Sequence, residues 1–284
     1  MTGNKIDIRR AIEDRKVNSV IDLFLDHIAP KGPYVNHVTR QIVLYESHLA
    51  FLWAYFYGSF VLYEECVQKP MVEGKFDGSI HFCNTLQMRA ANLQDWAILL
   101  SKNYIPWDEE KLPNPKCPVV TSERWYCEKV NTLFLKAVSF LLLHEYAHLV
   151  LEHKPSKNDN AWSIEQEKDA DNFAFNNLID PFASEKDRNI AGLSLVLLYA
   201  SNFFLPKDFR GIWQPRHPNL HDRLRNAITH LNLQSEESKF YLYYLASISL
   251  QQYLQSQSIS FGRLEQETAE DLFFEYLDKI DELL

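Results

Sequence analysis

The feature that most constrains the fold is an apolar stretch, residues 133–151, that carries ionisable side chains. Lys136, His144, Glu145 and His148 lie within it, and charges at the centre of a membrane span are costly unless they serve a function. The stretch therefore predicts a helix buried in a protein core rather than a transmembrane helix. In such a core the ionisable groups need partners or a metal ion.

Helical patterns also dominate the rest of the chain. β-branched residues between Tyr34 and Tyr45 add a short strand or hairpin, and a count of only 8 glycines weakens the case for a turn-dense all-β fold. We expect a mainly α protein that forms a single domain over residues 1–284, with at most a small β-hairpin near the N-terminus. Its core would cover about 34–231, with helical extensions at 1–33 and 232–284. The expected helices lie within 6–28 and at about 47–68 with Ser47 as N-cap, 85–103, 122–152, 163–179, 186–204, 218–231, 235–255 and 264–283.

Composition and charge limit the partners and the location of the protein. A net charge of −9 argues against nucleic acid as the main partner, because phosphate binding needs a basic surface. The polar N-terminal segment has no apolar signal core, and the four cysteines form no CxxC pair, so we expect a cytoplasmic protein. A second apolar segment, residues 49–63, is shorter than the roughly 20 residues that a span needs. No transmembrane span is expected, and peripheral membrane contact through this aromatic segment stays open as an alternative.

The most informative residues are 144–148, which read HEYAH inside the apolar helix. Positions i and i+4 share one helix face, so His144 and His148 can converge on one Zn²⁺. Glu145 would lie beside the ion and act as a general base. Such a motif also arises by chance, but three ionisable groups in an apolar helix are costly to bury unless paired or metal-bound. His153 falls on a different face and is interpreted as a helix C-terminal histidine.

A second helix offers the third ligand. Glu167 and Asp171 are spaced i, i+4, so one carboxylate can bind zinc while the other orients an imidazole. Glu165 and Asp169 form a competing pair on the opposite side of the helix. Apolar neighbours favour Glu167 and Asp171 as the inward pair. A capping box that begins at Ser163 predicts the start of this helix.

Three segments carry a resemblance to a known group of enzymes. HExxH at 144–148, ExxAD at 167–171 and HPNLHDRL at 217–224 resemble the gluzincin metallopeptidases. Their order, their spacing and the chain length are similar to the Lit-like phage-exclusion peptidases, over about residues 34–231. The resemblance implies that His144, His148 and Glu167 are zinc ligands and that Glu145 is the general base. It also implies that Asp171 positions a ligand histidine.

Two further residues of the third segment each allow two interpretations. His217 falls where such enzymes place a donor for the tetrahedral oxyanion, and the alternative is a helix-start histidine before Pro218. Arg223 either pairs with an acid near the site or serves packing alone. Tyr146 is interpreted as a packing residue. We therefore predict catalytic roles for Glu145 and His217 and a supporting role for Arg223.

The resemblance implies a zinc-dependent endopeptidase that acts on a protein substrate. In Lit-like peptidases the implied substrate is translation elongation factor Tu, cleaved once a phage-derived activator is present, which is an antiviral abortive-infection response. One alternative is another cytosolic zinc peptidase that acts on a regulator or an antitoxin. The other is a non-catalytic interaction module in which zinc staples two helices. Four protein ligands would favour the module, and three ligands beside a buried base favour the enzyme.

Overall fold

The computed structural model describes residues 7–116, 121–154, 159–179, 183–261 and 267–284. These residues form a mainly helical protein with a small sheet near the N-terminus, which confirms the predicted fold class. The helices are α1 (Ile8–Glu13), α2 (Glu46–Tyr63), α3 (Lys69–Val72), α4 (Thr85–Leu100), α5 (Thr121–Val150), α6 (Asn160–Leu178), α7 (Glu185–Asn202), α8 (Leu220–His230), α9 (Glu236–Ser256) and α10 (Ala269–Leu283). The strands are β1 (Asp22–Phe24), β2 (Tyr34–Asn36) and β3 (Gln41–Tyr45).

The sheet has the order β1-β3-β2, with β3 at its centre. β2 and β3 form the expected antiparallel pair, with Tyr34 opposite Val43. β1 pairs with β3 in parallel and was not predicted. The helix expected within 6–28 is wrong beyond Glu13, because Arg15 has a left-handed φ of 56° that a right-handed helix cannot include. The segment after this turn is extended and supplies β1.

Helix α2 lies at the centre of the core and contacts α4, α5 and α7. It is buried on nearly every side, and Gly58 allows α4 to approach closely. A Cβ added at Gly58 would lie 2.5 Å from the Gln94 Cβ. The expected N-cap is wrong, since Ser47 lies inside the helix and Tyr45 precedes its first residue.

The last two helices belong to the same hydrophobic cluster as α2. Tyr253 of α9 and Leu277 of α10 are buried in it. α10 packs on α9, and α9 packs on α7. Residues after Ser235 therefore help to build the core that surrounds the site-bearing helices.

One described helix, α5, is long and apolar enough to cross a membrane by length and composition. It packs against α2, α6 and α7 in the structure. Phe140 on one side of α5 contacts Phe175 of α6 with ring centroids 5.0 Å apart. These contacts are those of a core helix, as the sequence predicted.

Candidate active site

The predicted ligands lie on α5 and α6, which pack directly against each other. Ala170 and Ala174 of α6 are fully buried, and small side chains at a helix contact allow a short distance between the axes. Helix α6 begins earlier than predicted, at Asn160, because the side chain of Asp159 caps it by accepting from the Trp162 N–H. The capping box at Ser163 is therefore wrong, and the Ser163 hydroxyl donates to the Asp159 carbonyl instead.

Three side chains bring their ligand atoms together at this contact. His144 Nε2 lies 3.2 Å from His148 Nε2 and 3.3 Å from Glu167 Oε2. His148 Nε2 lies 3.5 Å from Glu167 Oε1. Two ligand atoms that each bind one zinc ion at about 2.1 Å, at the tetrahedral angle, are roughly 3.4 Å apart. The spacing of these atoms therefore fits a metal ion at their centre.

The orientation of His144 is fixed by a carboxylate behind it. His144 Nδ1 donates to Asp171 Oδ1 over 2.9 Å, which directs Nε2 toward the other ligand atoms, where a metal ion would bind in place of the Nε2 proton. Burial lowers the pKa of His144, but hydrogen bonds to Asp171 and Glu167 outweigh burial and raise that pKa to about 10. The cluster thus attracts positive charge, which a metal cation would supply.

Arg223 of α8 holds Asp171 through two hydrogen bonds. Its Nε donates to Asp171 Oδ2 over 2.9 Å, and its Nη2 donates to Oδ1 over 2.7 Å. Burial raises the pKa of Asp171, but the Arg223 guanidinium and the bond to His144 outweigh burial and lower that pKa. The guanidinium also lies over the Tyr199 ring, 5.2 Å from its centroid. Arg223 therefore pairs with an acid near the site, which was one of the two roles expected for it.

His148 has a partner that the sequence did not predict. His153 is buried and places its Nδ1 3.0 Å from His148 Nδ1. It reaches this position because α5 ends at Val150 and Glu152 adopts a left-handed φ of 56°, which turns the chain back. The interpretation of His153 as a histidine on another face is wrong for this reason. Burial and the neighbouring His144 lower the pKa of His148 to about 3, so its imidazole is neutral, as metal binding requires.

Glu145 lies beside the three ligand side chains but outside their group. It is buried and lines the same cavity. Burial raises its pKa to about 7, a value suited to a group that both accepts and donates a proton near neutral pH. Tyr146, the next residue, packs against Phe173 in a separate small cluster, as a packing residue should.

The third predicted segment also reaches the site. His217, in the loop before α8, places its Nδ1 3.0 Å from Glu167 Oε2, and its side chain is 48% exposed. The competing pair on α6 points away, since Glu165 is 61% exposed and pairs with Lys168, and Asp169 is exposed. All seven predicted site residues therefore lie in one place.

These residues line a cavity of about 1010 Å³ that opens between the helices and the N-terminal sheet. Several polar residues of its wall were not predicted, because a single residue in a loop has no partner at a fixed spacing in the sequence that would identify it. The exception is His48, an ionisable residue at the start of an apolar helix, which is the same signal that singled out His144. The unpredicted polar residues of the wall include His37, His48, Asn202, Gln214 and Arg216.

Comparison with known proteins places the whole site within one family. A family model described as Peptidase U49 matches residues 42–246, which is more than two thirds of the chain. The match contains all three segments that carry the site and extends into α9. No curated protein and no solved structure matches the chain.

Proposed function

The chain belongs to the Peptidase U49 family, and from this premise we propose that it is a zinc-dependent endopeptidase of the gluzincin type. Membership in this family identifies the chain as a peptidase, which acts on a protein substrate. It also bears out the Lit-like resemblance. One observation carries the zinc proposal: the ligand atoms of His144, His148 and Glu167 all lie within 4.8 Å of one another. Two imidazoles and one carboxylate are the ligand set of many catalytic zinc sites.

In this proposal Glu145 moves the protons of the reaction. When bound, zinc would polarise the scissile carbonyl and acidify the attacking water. Glu145 accepts a proton from that water and then delivers it to the leaving amine. Burial keeps the pKa of Glu145 at about 7, so the same carboxylate is able to take and to return the proton.

The remaining residues hold the reacting groups in place. Asp171, anchored by Arg223, fixes the ring of His144, and His153 contacts the far nitrogen of His148. His217 is the most exposed of the predicted site histidines. We assign it the donation of a hydrogen bond to the oxyanion that forms on the substrate.

The number of ligands argues against a non-catalytic zinc staple. Structural zinc sites are closed by four protein ligands. Among the described residues, the group whose ligand atoms all lie within 4.8 Å of one another has three members, and His217 is not one of them. A three-member set next to a buried base leaves a coordination position for substrate, which a structural site would not need.

The Lit-like resemblance extends the proposal to a particular substrate. It supports translation elongation factor Tu as the protein cleaved, in the presence of a phage-derived activator, as an antiviral response in the cytoplasm. An activator of this kind must bind the competent arrangement better than the resting one, and a thousandfold gain needs roughly 4 kcal/mol of preference. The alternative within the same chemistry is a regulator or an antitoxin as substrate.

The test combines metal analysis with a search for substrates. We expect purified protein to contain one zinc ion per chain, and Glu145→Gln protein to contain the same amount. Elongation factor Tu is then incubated with each protein, with and without phage lysate, and fragments are identified by mass spectrometry. The full proposal is supported if the wild type cleaves elongation factor Tu when phage lysate is present and does not cleave it when the lysate is absent. If other proteins are cleaved in expressing cells but elongation factor Tu is not, the alternative substrate is supported. If zinc-loaded protein cleaves nothing, the proposed peptidase activity is contradicted.

A further inference from the structure

The loop between α7 and α8 places an arginine in the wall of the site cavity. Arg216 immediately precedes His217, and both residues line the cavity together with the proposed zinc ligands. Arg216 is half-buried, and its Nε is enclosed without a hydrogen-bonding partner among the residues that the structure describes. The two terminal nitrogens of its guanidinium are not enclosed, so a ligand in the cavity is able to reach them.

The acidic residues in the described part of the cavity wall do not neutralise this arginine. Glu167 faces the two ligand histidines, and Glu145 is the proposed base. The third acid, Asp208, accepts a hydrogen bond from the Gly211 N–H in the turn that it caps. Arg216 is therefore a fixed positive charge beside the metal-binding residues that has no ion-pair partner among the described residues.

Two lysines add further positive charge to the same wall. Lys31, in the loop before β2, and Lys207, in the loop after α7, are exposed and line the cavity. The Lys31 amine lies over the Tyr45 ring, 5.9 Å from its centroid, and neither lysine forms an ion pair with a residue that the structure describes. The chain as a whole has a net charge of −9, so this wall differs in sign from the rest of the protein. A cleft lined by one sign of charge attracts ligands of the opposite sign.

We infer that Arg216 binds a carboxylate on the substrate, so that the enzyme prefers an aspartate or a glutamate near the bond that it cleaves. A guanidinium offers two parallel N–H donors that match a carboxylate, which makes this pairing selective as well as strong. The position of the preferred residue follows from His217, whose Nδ1 lies 3.0 Å from Glu167 Oε2. The side chain next to it in the sequence reaches a substrate residue close to the metal. The inference rests on the proposed peptidase function and adds the class of residue that the site selects.

The test uses short peptide hydroxamates, whose chelating group would occupy the open position of a catalytic zinc ion and hold the peptide in the cavity. The hydroxamate is placed at either end, so that the peptide extends to either side of the metal, and each position in turn carries Glu or Gln. Affinities for the full-length, zinc-loaded protein are measured by isothermal titration calorimetry. We expect the glutamate form to bind at least about tenfold more tightly at one position, as a hydrogen bond between charged groups allows.

A carboxylate at the C-terminus of a peptide has the same chemistry as an acidic side chain. The peptides with an N-terminal hydroxamate are therefore made with a free and with an amidated C-terminus. We expect the preference for glutamate to persist when the C-terminus is amidated, because an endopeptidase binds its substrate within a longer chain.

Substitutions at Arg216 separate selection from folding. Arg216→Gln should abolish the preference for glutamate and should leave the affinity for the glutamine form unchanged, which shows that the cavity is intact. Arg216→Lys keeps the charge but loses the two parallel donors, so it should retain part of the preference. Arg210→Gln is the matched control, since Arg210 is exposed on the same loop and does not line the cavity.

Three results would overturn the inference. These are equal affinities for the glutamate and glutamine forms at every position, an unchanged preference in Arg216→Gln, or a preference confined to peptides with a free C-terminus. Tight binding of hydroxamates without any preference contradicts this inference alone. If the metal-treated protein binds no hydroxamate at all, the proposed zinc site is contradicted, and the inference that rests on it falls as well.

Discussion

Both ends of α5 bury ionisable side chains, but the partners of these side chains differ between the two ends. Near its start, Glu123 is fully buried and pairs with Arg89 of α4, whose Nε lies 2.5 Å from Glu123 Oε1. Near its end, His144 and His148 face Glu167 with their ligand atoms turned toward one another. The first pair balances its charge within the protein, whereas the second group directs three ligand atoms to one point. Burial of charge alone therefore does not identify a site, and convergent electron-pair donors do.

The largest expected effect comes from Glu145→Gln at the functional end of the helix. Loss of the general base should lower the rate of peptide cleavage by about a hundredfold to ten-thousandfold. Zinc content and thermal midpoint should stay unchanged, because the ligands and their supports remain. The rate is measured on the identified substrate with metal-replete protein. Substantial turnover in this variant would contradict the proposed role of Glu145.

The structural end of α5 should respond in stability rather than in activity. Arg89→Met leaves Glu123 buried without its cation, which should cost about 3–5 kcal/mol in the free energy of unfolding. Arg124→Met is the matched control, because Arg124 is exposed and pairs with Glu128 on the surface. Urea unfolding gives both values. A large loss of zinc from the folded fraction of Arg89→Met would show that the two ends are coupled.

A third comparison sets the two carboxylate pairs of α6 against each other. Glu167→Gln should weaken zinc binding by more than about a hundredfold, since even residues that only support a ligand contribute ten- to a hundredfold. Glu165→Gln should leave the affinity unchanged, because Glu165 is exposed and bonded to Lys168. Competition with a zinc chelator measures both. Equal losses from the two variants would place the metal ion elsewhere on the helix.

The smallest effect is expected from His153→Phe. This change removes the imidazole that contacts His148 Nδ1 but leaves all three ligands and Asp171 in place. Zinc affinity should fall by about tenfold, at the low end of the range for residues behind a ligand. The same chelator competition applies, with His230→Phe as control, since His230 lies on α8 outside the site cavity. An unchanged affinity would mean that the position of His148 is set by α5 alone.

The sequence predicted those parts of the site whose geometry is local. His144 and His148, and likewise Glu167 and Asp171, are one helical turn apart, so helical periodicity alone places each pair on one face. The third segment was identified through a family resemblance, and its contact with Asp171 could not be derived from spacing. The helices of the core were predicted for the same local reason, to within a few residues at most ends.

The missed features depend on single turns or on distant packing. His153 reaches His148 only because Glu152 takes a left-handed conformation, which no periodicity signals. The parallel pairing of β1 with β3 joins segments that are separated along the chain, so it leaves no local pattern. His48 had a signal, an ionisable residue within an apolar helix, but the sequence could not place that helix beside the site.

The hydrogen bonds from Arg223 to Asp171 give the protein a built-in order of assembly. Asp171 emerges from the ribosome 52 residues before the arginine that neutralises it. A nascent chain therefore holds all three proposed metal ligands and the proposed general base while the carboxylate behind His144 still lacks its counter-charge. The support for His144 is completed only when α8 has been synthesised and has packed.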